Sequence, residues 1–117
     1  MKKTKEILMK LQYYPSKFDK ENDIYYGRVV DPKYVRELTF DVNDDYDFDI
    51  EKEEFSKNGL YSIQISGTKR ALKEFGKFLV NMAEFKTEDE DYHEHIDQIN
   101  DSEGNPLVNL TVRKIKR

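Results

Sequence analysis

The sequence predicts an α+β domain with two layers, in which one long helix lies across an antiparallel sheet of about five strands. Two observations support this prediction. Residues 61–66 alternate apolar and polar side chains, as a strand with one buried face does. Seven apolar residues between positions 71 and 83 then recur at helical spacing and form one broad stripe. The stripe predicts a single helix over about 68–85.

Two further strands are expected after this helix. Residues 92–97 and 108–112 alternate as strands do, and Gly104-Asn105-Pro106 predicts a turn between them. A strand, a helix and two more strands in this order are typical of one helix packed on an antiparallel sheet. The residues expected to make the contact are Leu72, Phe75, Leu79 and Met82 on the helix, and Ile63, Ile65, Leu110 and Val112 on the strands.

The first 60 residues have a weaker pattern. Residues 7–11 favour a short helix that ends before Pro15, and residues 16–23 resemble a loop. Two strands and two turns are expected after them: strands at 24–30 and 34–42, and turns at Asn43-Asp44-Asp45 and Asn58-Gly59. No internal repeat or linker divides the chain, so residues 1–117 are expected to form one domain.

The composition restricts the kinds of function that the chain can have. Charged residues make up 38% and hydrophobic residues 37%, while an aromatic share of 13% favours a folded core over disorder. There is no cysteine, which excludes disulfides and thiolate metal sites and favours a reducing compartment. No stretch approaches the roughly 20 apolar residues that span a bilayer. A soluble cytoplasmic protein, without nucleic-acid or membrane partners, is the expectation.

The net charge of −4 conceals two strongly acidic segments. Residues 37–60 carry nine acidic and two basic side chains, and residues 88–105 carry eight acidic side chains and no Lys or Arg. One interpretation is that these are solvated loops beside strands. The other is an acidic surface that meets a basic partner, where complementary charge raises the encounter rate and fixes the orientation.

His93 and His95 are the only histidines, and their positions suggest a possible metal site. On a strand they share a face and lie about 6.6 Å apart, a spacing that can hold zinc. Asp97 would lie about 13 Å from His93, too far to complete one site with both. A third ligand would have to come from a neighbouring strand. The alternative is two surface histidines among carboxylates.

Other motifs that carry chemistry are absent. The acidic run 41–51 fails the EF-hand pattern, because Tyr46 or Ile50 stands where the loop requires glycine. No phosphate-binding glycine loop, nucleophile elbow or cysteine–histidine pair is present. The sequence therefore predicts no enzyme and no cofactor.

Several segments in the C-terminal half resemble a known family. They are Ser66-Gly67-Thr68, the helix with Ala71-Leu72, Phe75 and Phe78-Leu79, the strand His93-Glu94-His95-Ile96-Asp97, and Leu107-Val108-Asn109-Leu110-Thr111-Val112. This pattern resembles small bacterial immunity proteins of polymorphic-toxin systems, immunity family thirty-two. The chain departs from it at Glu94, where such proteins usually have an apolar residue. Glu94 is expected on the face that Tyr92 and Ile96 turn toward the core.

The resemblance implies a protein that binds and silences a cognate toxin without catalysis. Many such toxins are nucleases with basic clefts, and the acidic segments could fill such a cleft. The residues expected to contact the partner are Asp44, Asp45, Asp47, Asp49, Asp91 and Glu94. Two alternatives stay open: a metal-binding protein or metal-dependent enzyme that uses His93 and His95, and a homo-oligomer formed through an exposed strand edge.

Overall fold

The computed structural model describes residues 1–115. Its elements are strand β1 (Tyr13–Asp19), strand β2 (Ile24–Val29), a 3-10 turn (Val35–Glu37), strand β3 (Leu38–Asp49), strand β4 (Glu54–Gly67), helix α1 (Lys69–Glu84), strand β5 (His93–Asn100) and strand β6 (Pro106–Arg113). Within this part of the chain, no helix combines the length and apolar character that crossing a bilayer requires.

The six strands form two sheets. Strands β1 and β2 make a two-stranded sheet, and the other four are arranged in the order β4-β3-β5-β6. Strands β3 and β5 are parallel and meet only where Thr39 lies opposite Asn100, while the other pairs are antiparallel. The α+β class with one helix is confirmed. The prediction of one antiparallel sheet of about five strands is wrong, because the pairing between β3 and β5 is a long-range contact without a local sequence signal.

Helix α1 begins and ends within one residue of its predicted limits. Thr68 is its N-cap, and the backbone N–H of Ala71 donates to Thr68 Oγ1 at 3.2 Å. At the other end, Lys114 Nζ donates to the carbonyl oxygens of Ala83 and Phe85 at 2.7 and 3.1 Å. These bonds satisfy carbonyl groups that a helix end leaves without an internal partner.

The core lies between α1 and the part of the four-stranded sheet formed by the first residues of β3 and by β5. Its buried apolar residues are Val29, Leu38, Phe40, Ala71, Phe78, Met82, Phe85, Tyr92, Ile96 and Ile99. The predicted contact is confirmed for Met82, Phe75, Leu110 and Val112, which are buried or pack against this cluster. It is wrong for Leu72, Leu79, Ile63 and Ile65, which are 41% to 63% exposed.

The direction of α1 explains these four exposed side chains. The helix starts where β4 ends, and Arg70 in its first turn contacts Glu37, just before β3. Its last residues lie near the start of β5, where the rings of Phe85 and Tyr92 are 4.8 Å apart. The helix therefore runs above β5 and away from most of β3 and β4.

The N-terminal segment is not helical. Residues 1–12 have no regular secondary structure, and β1 runs through Pro15. Because proline has no N–H, the pairing of β1 with β2 is interrupted between Tyr14 and Lys17. Gly27 lies opposite this break with φ +109, and a Cβ there would come within 2.7 Å of the Pro15 carbonyl oxygen. The short helix predicted over residues 7–11 is wrong, because these residues have no regular secondary structure and the chain enters β1 at Tyr13, before the proline that was expected to end a helix.

Strands β3 and β4 form a hairpin that is much longer than predicted. The expected turns at residues 43–45 and 58–59 are wrong: β3 continues to Asp49, and β4 starts at Glu54. Residues 58–60 instead form an irregularity opposite Asp45, where Gly59 adopts φ +83. We call residues 42–63 the arm.

The arm projects beyond the rest of the molecule, because β5 ends where β3 begins. The longest dimension is 65 Å, and the radius of gyration is 18.8 Å. A compact chain of this length would have a radius of gyration of about 13 Å.

Candidate functional site

The two surfaces of the arm differ in chemistry. Alternation along β3 places Asp41, Asp45, Asp47 and Asp49 on one surface, which we call the acidic face. The opposite surface, which we call the apolar face, carries Val42, Tyr46 and Phe48 from β3 and Phe55, Tyr61 and Ile63 from β4. The cross-strand pair Phe48 and Phe55, with ring centroids 5.0 Å apart, shows that the two strands contribute to the same apolar surface.

Hydrogen bonds to Asn58 and to the turn fix the carboxylates of the acidic face. Asn58 Nδ2 donates to Asp45 Oδ2 at 2.8 Å and to Asp47 Oδ1 at 3.1 Å. At the tip, Asp49 Oδ1 accepts the backbone N–H groups of Glu51 and Lys52 at 3.0 and 3.2 Å. The carboxylates of Asp45, Asp47 and Asp49 follow one another at about 7 Å along the strand. The face is therefore a preorganised row of negative charge.

The second acidic segment meets the first at the base of the arm. The backbone N–H and the hydroxyl of Ser102 both donate to Asp41 Oδ1, at 3.0 and 2.9 Å. This brings Asp101 and Glu103 beside β3. Together they border a shallow polar depression whose lining includes Thr39, Asp41, Asn43, Gln64, Ser66, Asp101, Ser102 and Glu103. The acidic character of both segments was visible in the sequence, but their proximity was not, and Glu103 was missed as a candidate.

Asp44 does not lie with the other predicted residues of β3. It is on the apolar face, where its Oδ2 forms an ion pair with Lys57 Nζ at 3.0 Å. The structure thus brings Asp45, Asp47 and Asp49 together on one surface and separates Asp44 from them.

Asp91 and Glu94 lie at the start of β5, whereas the arm begins beyond its end. A strand of this length separates them from the acidic face by about 25 Å. The Asp91 side chain is 93% exposed, and its Oδ1 is 3.8 Å from Arg113 Nη1. The structure does not join these two residues to the arm.

Glu94 is engaged inside the fold. Its Oε2 accepts the backbone N–H of Val29 at 2.9 Å and the hydroxyl of Tyr92 at 2.7 Å. Tyr92 and Ile96 are buried, so the predicted orientation of this strand face is confirmed. Burial is the main cause that raises the pKa of Tyr92, and the hydrogen bond to Glu94 raises it further.

The two histidines of β5 lie side by side. Their ring centroids are 4.8 Å apart, with the planes at 88°. His93 Nδ1 is 2.6 Å from the Asp91 carbonyl oxygen, and His95 Nδ1 is 3.1 Å from Thr111 Oγ1. Among residues 1–115, no group of three His, Cys, Asp or Glu side chains is arranged to hold a metal ion.

A further charged cluster joins the start of α1 to the 3-10 turn. The carboxylate of Glu37 accepts from Thr68 Oγ1 at 2.7 Å and from Arg70 Nε at 2.8 and 3.1 Å, and it also forms an ion pair with Arg70 Nη2. The Arg70 guanidinium lies 4.1 Å above the Tyr34 ring. The hydrogen bonds from Arg70 and Thr68 lower the pKa of Glu37 to about 2.

Comparison with known protein families gives a match in the C-terminal half. The family model described as Immunity protein 32 matches residues 62–112. This range includes the end of β4, α1, β5 and most of β6, and it confirms the resemblance over the C-terminal half of the chain. Most of the arm precedes the matched range. No curated protein and no solved structure matches the chain.

Proposed function

We propose, from the match of residues 62–112 to Immunity protein 32, that this chain is an immunity protein that binds a cognate toxin and blocks it without catalysis. This match is the observation that carries the proposal. The proposed place of action is the cytoplasm, where a protein whose sequence has no cysteine needs no oxidising environment.

The acidic face is the proposed contact surface for the toxin. Its carboxylates are held in a row by Asn58 and by the turn at the tip. A cleft lined with Lys and Arg would attract this surface from a distance and fix its orientation, because complementary charges act mainly on association and specificity. A toxin domain with a basic cleft, such as a nuclease, is the partner that fits this chemistry.

The shape of the arm favours the same surface. From Asp41 to Asp49 the strand extends about 27 Å, and it projects beyond the region that α1 covers. A narrow projection of this kind can enter a cleft, whereas the broad body of the molecule cannot. Asp41 and Glu103 at the base would contact the rim of the cleft.

Asp91 and Glu94 are not part of this proposed surface. Glu94 is already bonded to Val29 and Tyr92, and Asp91 lies at the far end of β5. Asp44 is also left out, since it lies on the opposite surface of the arm beside Lys57. The proposed contact set is Asp45, Asp47 and Asp49, with Asp41 and Glu103 at the base.

Co-expression tests the proposed function. Candidate toxin domains with basic clefts are each produced in bacteria with and without the chain, and growth is measured. We expect growth to be restored by the chain, and the two purified proteins to form a complex in calorimetry. Continued growth arrest in the presence of folded chain, with no heat of binding, would overturn the proposal.

A further inference from the structure

The apolar face of the arm is exposed along its whole length. Val42, Tyr46, Phe48, Phe55, Tyr61 and Ile63 are each between 42% and 75% exposed, and no other part of residues 1–115 covers them. We propose that a second copy of this chain covers this face, with two arms packed against each other around a two-fold axis. This inference does not rest on the proposed toxin binding: the pair uses the opposite surface of the arm and leaves the acidic faces exposed, and entry of a single arm into a narrow cleft would require the monomer.

The arm is a single layer, whereas a stable domain packs at least two layers against each other. An isolated two-stranded ribbon is only marginally stable in water, and a sheet normally buries its apolar face against another element. In the rest of the fold, α1 covers the apolar face of the sheet, but α1 runs away from the arm. The same surface that α1 covers at Phe40, whose ring centroid lies 6.1 Å from that of Phe75, continues uncovered from Val42 outward.

The size of the exposed surface suits a dimer. From their exposed fractions, the six side chains leave on the order of 700 Å² accessible. A standard interface takes about 800 Å² from each partner. Aromatic side chains, which are four of the six here, are the residues most enriched in the centres of interfaces.

The charge distribution favours a second copy over a basic partner at this face. On the two strands of the arm, the charged side chains of this face are Asp44 and Lys57, which form an ion pair at 3.0 Å and leave no net charge. With the apolar faces together, the two acidic faces would point outward, about 20 Å apart. That distance exceeds the Debye length of about 8 Å at physiological ionic strength, so the acidic faces would repel each other only weakly.

The arm is also complementary to itself from tip to base. In an antiparallel arrangement, Phe48 and Phe55 at the tip of one arm lie over the base of the other arm. Ile65 of β4 and Leu72 of α1 are each 45% exposed at that base. Leu72 lies close to Gly67, where β4 ends, so both ends of the face are apolar. An interface in which each copy supplies both a tip and a base is isologous and closes as a dimer.

Sedimentation velocity on the full chain tests this proposal. At about 100 µM, well above the weakest dissociation constants of standard interfaces, we expect the wild type to sediment as a dimer. The double variant Tyr61→Ser and Ile63→Ser removes two exposed side chains of the face and should sediment as a monomer. The matched control, Tyr26→Ser and Leu107→Ser, removes one exposed tyrosine and one exposed aliphatic side chain elsewhere and should remain a dimer.

Circular dichroism establishes that each variant is folded. If the double variant fails to fold, Phe55→Ser at the tip takes its place, with the same expected result, because this side chain is 70% exposed. A monomeric wild type at this concentration would overturn the proposal. So would a dimer that the face variants leave intact, since that dimer would use another surface, such as the open edge of β4 or β6.

Discussion

Glu94 accepts the backbone N–H of Val29 through its Oε2 at 2.9 Å, and this bond connects the two sheets. The same oxygen accepts the hydroxyl of Tyr92. The resemblance implied an apolar residue at position 94, and here a carboxylate serves two donors, one of them on a residue of the core. The substitution of a charged residue is thus compensated within the fold.

Replacing Glu94 with alanine should destabilise the protein. The change leaves the N–H of Val29 and the hydroxyl of Tyr92 without their partner, and each unsatisfied group costs about 1–3 kcal/mol. Urea unfolding should show a lower midpoint. Glu94→Gln, which retains an acceptor oxygen, should lose less. An unchanged midpoint for Glu94→Ala would show that the bond between the sheets contributes nothing to stability.

The pKa of Glu37 gives a test of the cluster at the start of α1. NMR titration should find a pKa of about 2, because Arg70 and Thr68 donate to the charged carboxylate. Since the folded pKa lies below that of the unfolded chain, the stability it contributes is present above about pH 4.5 and is lost as pH falls toward 2. Arg70→Ala should move the pKa upward.

Lys69→Ala is the matched control for that experiment, since it removes the neighbouring positive charge and leaves the hydrogen bonds to Glu37 in place. It should shift the Glu37 pKa much less than Arg70→Ala does. A Glu37 carboxyl that titrates near its ordinary value of 4.5 in the wild type would contradict the geometry of this cluster.

Gly76 offers a stabilising substitution. It lies within α1, and a Cβ at this position would meet no atom within 4 Å. Gly76→Ala should therefore raise the free energy of unfolding by about 0.5–1 kcal/mol through lower backbone entropy of the unfolded chain and better helix propensity. Gly27→Ala should do the opposite, because its φ is +109 and the Pro15 carbonyl lies too close. Urea unfolding of both variants is the measurement, and a destabilised Gly76→Ala would contradict the open space around this residue.

The helix could be predicted from sequence because its signals are local. The apolar stripe from Ala71 to Met82 and the cap at Thr68 lie within one segment, and both are present in the structure. The arm could not be predicted in this way, because Asn43, Asp44 and Asp45 have strong turn propensity. In the structure Asn43 and Asp44 pair with β4 instead, Asp45 continues β3 opposite the irregularity at residues 58–60, and all three polar side chains are tolerated on surfaces that face solvent.

The candidate site was predictable only in part for the same reason. The sequence showed which segment is acidic, but the assignment of Asp45 and Asp47 to one face and Asp44 to the other required the continuous strand. The contact between Ser102 and Asp41 joins residues 61 positions apart. Pairing of this kind depends on the topology of the sheet, which no local pattern encodes.

Association kinetics with the toxin domain that the chain neutralises in the co-expression test examine the role of the acidic face most directly. The variant carries Asp45→Asn, Asp47→Asn and Asp49→Asn, which retain acceptor oxygens for Asn58 and for the turn. The control carries the same charge change on three exposed residues outside the arm, through Glu84→Gln, Glu90→Gln and Asp97→Asn. Both are compared with the wild type from about 20 mM to about 500 mM salt, over which the Debye length shortens several-fold.

We expect the arm variant to associate at least about tenfold more slowly at low salt, and its rate to depend less on salt than the wild-type rate. The control should stay close to the wild type. If the arm variant and the wild type associate at the same rate with the same salt dependence, the acidic face is not the surface that meets the toxin.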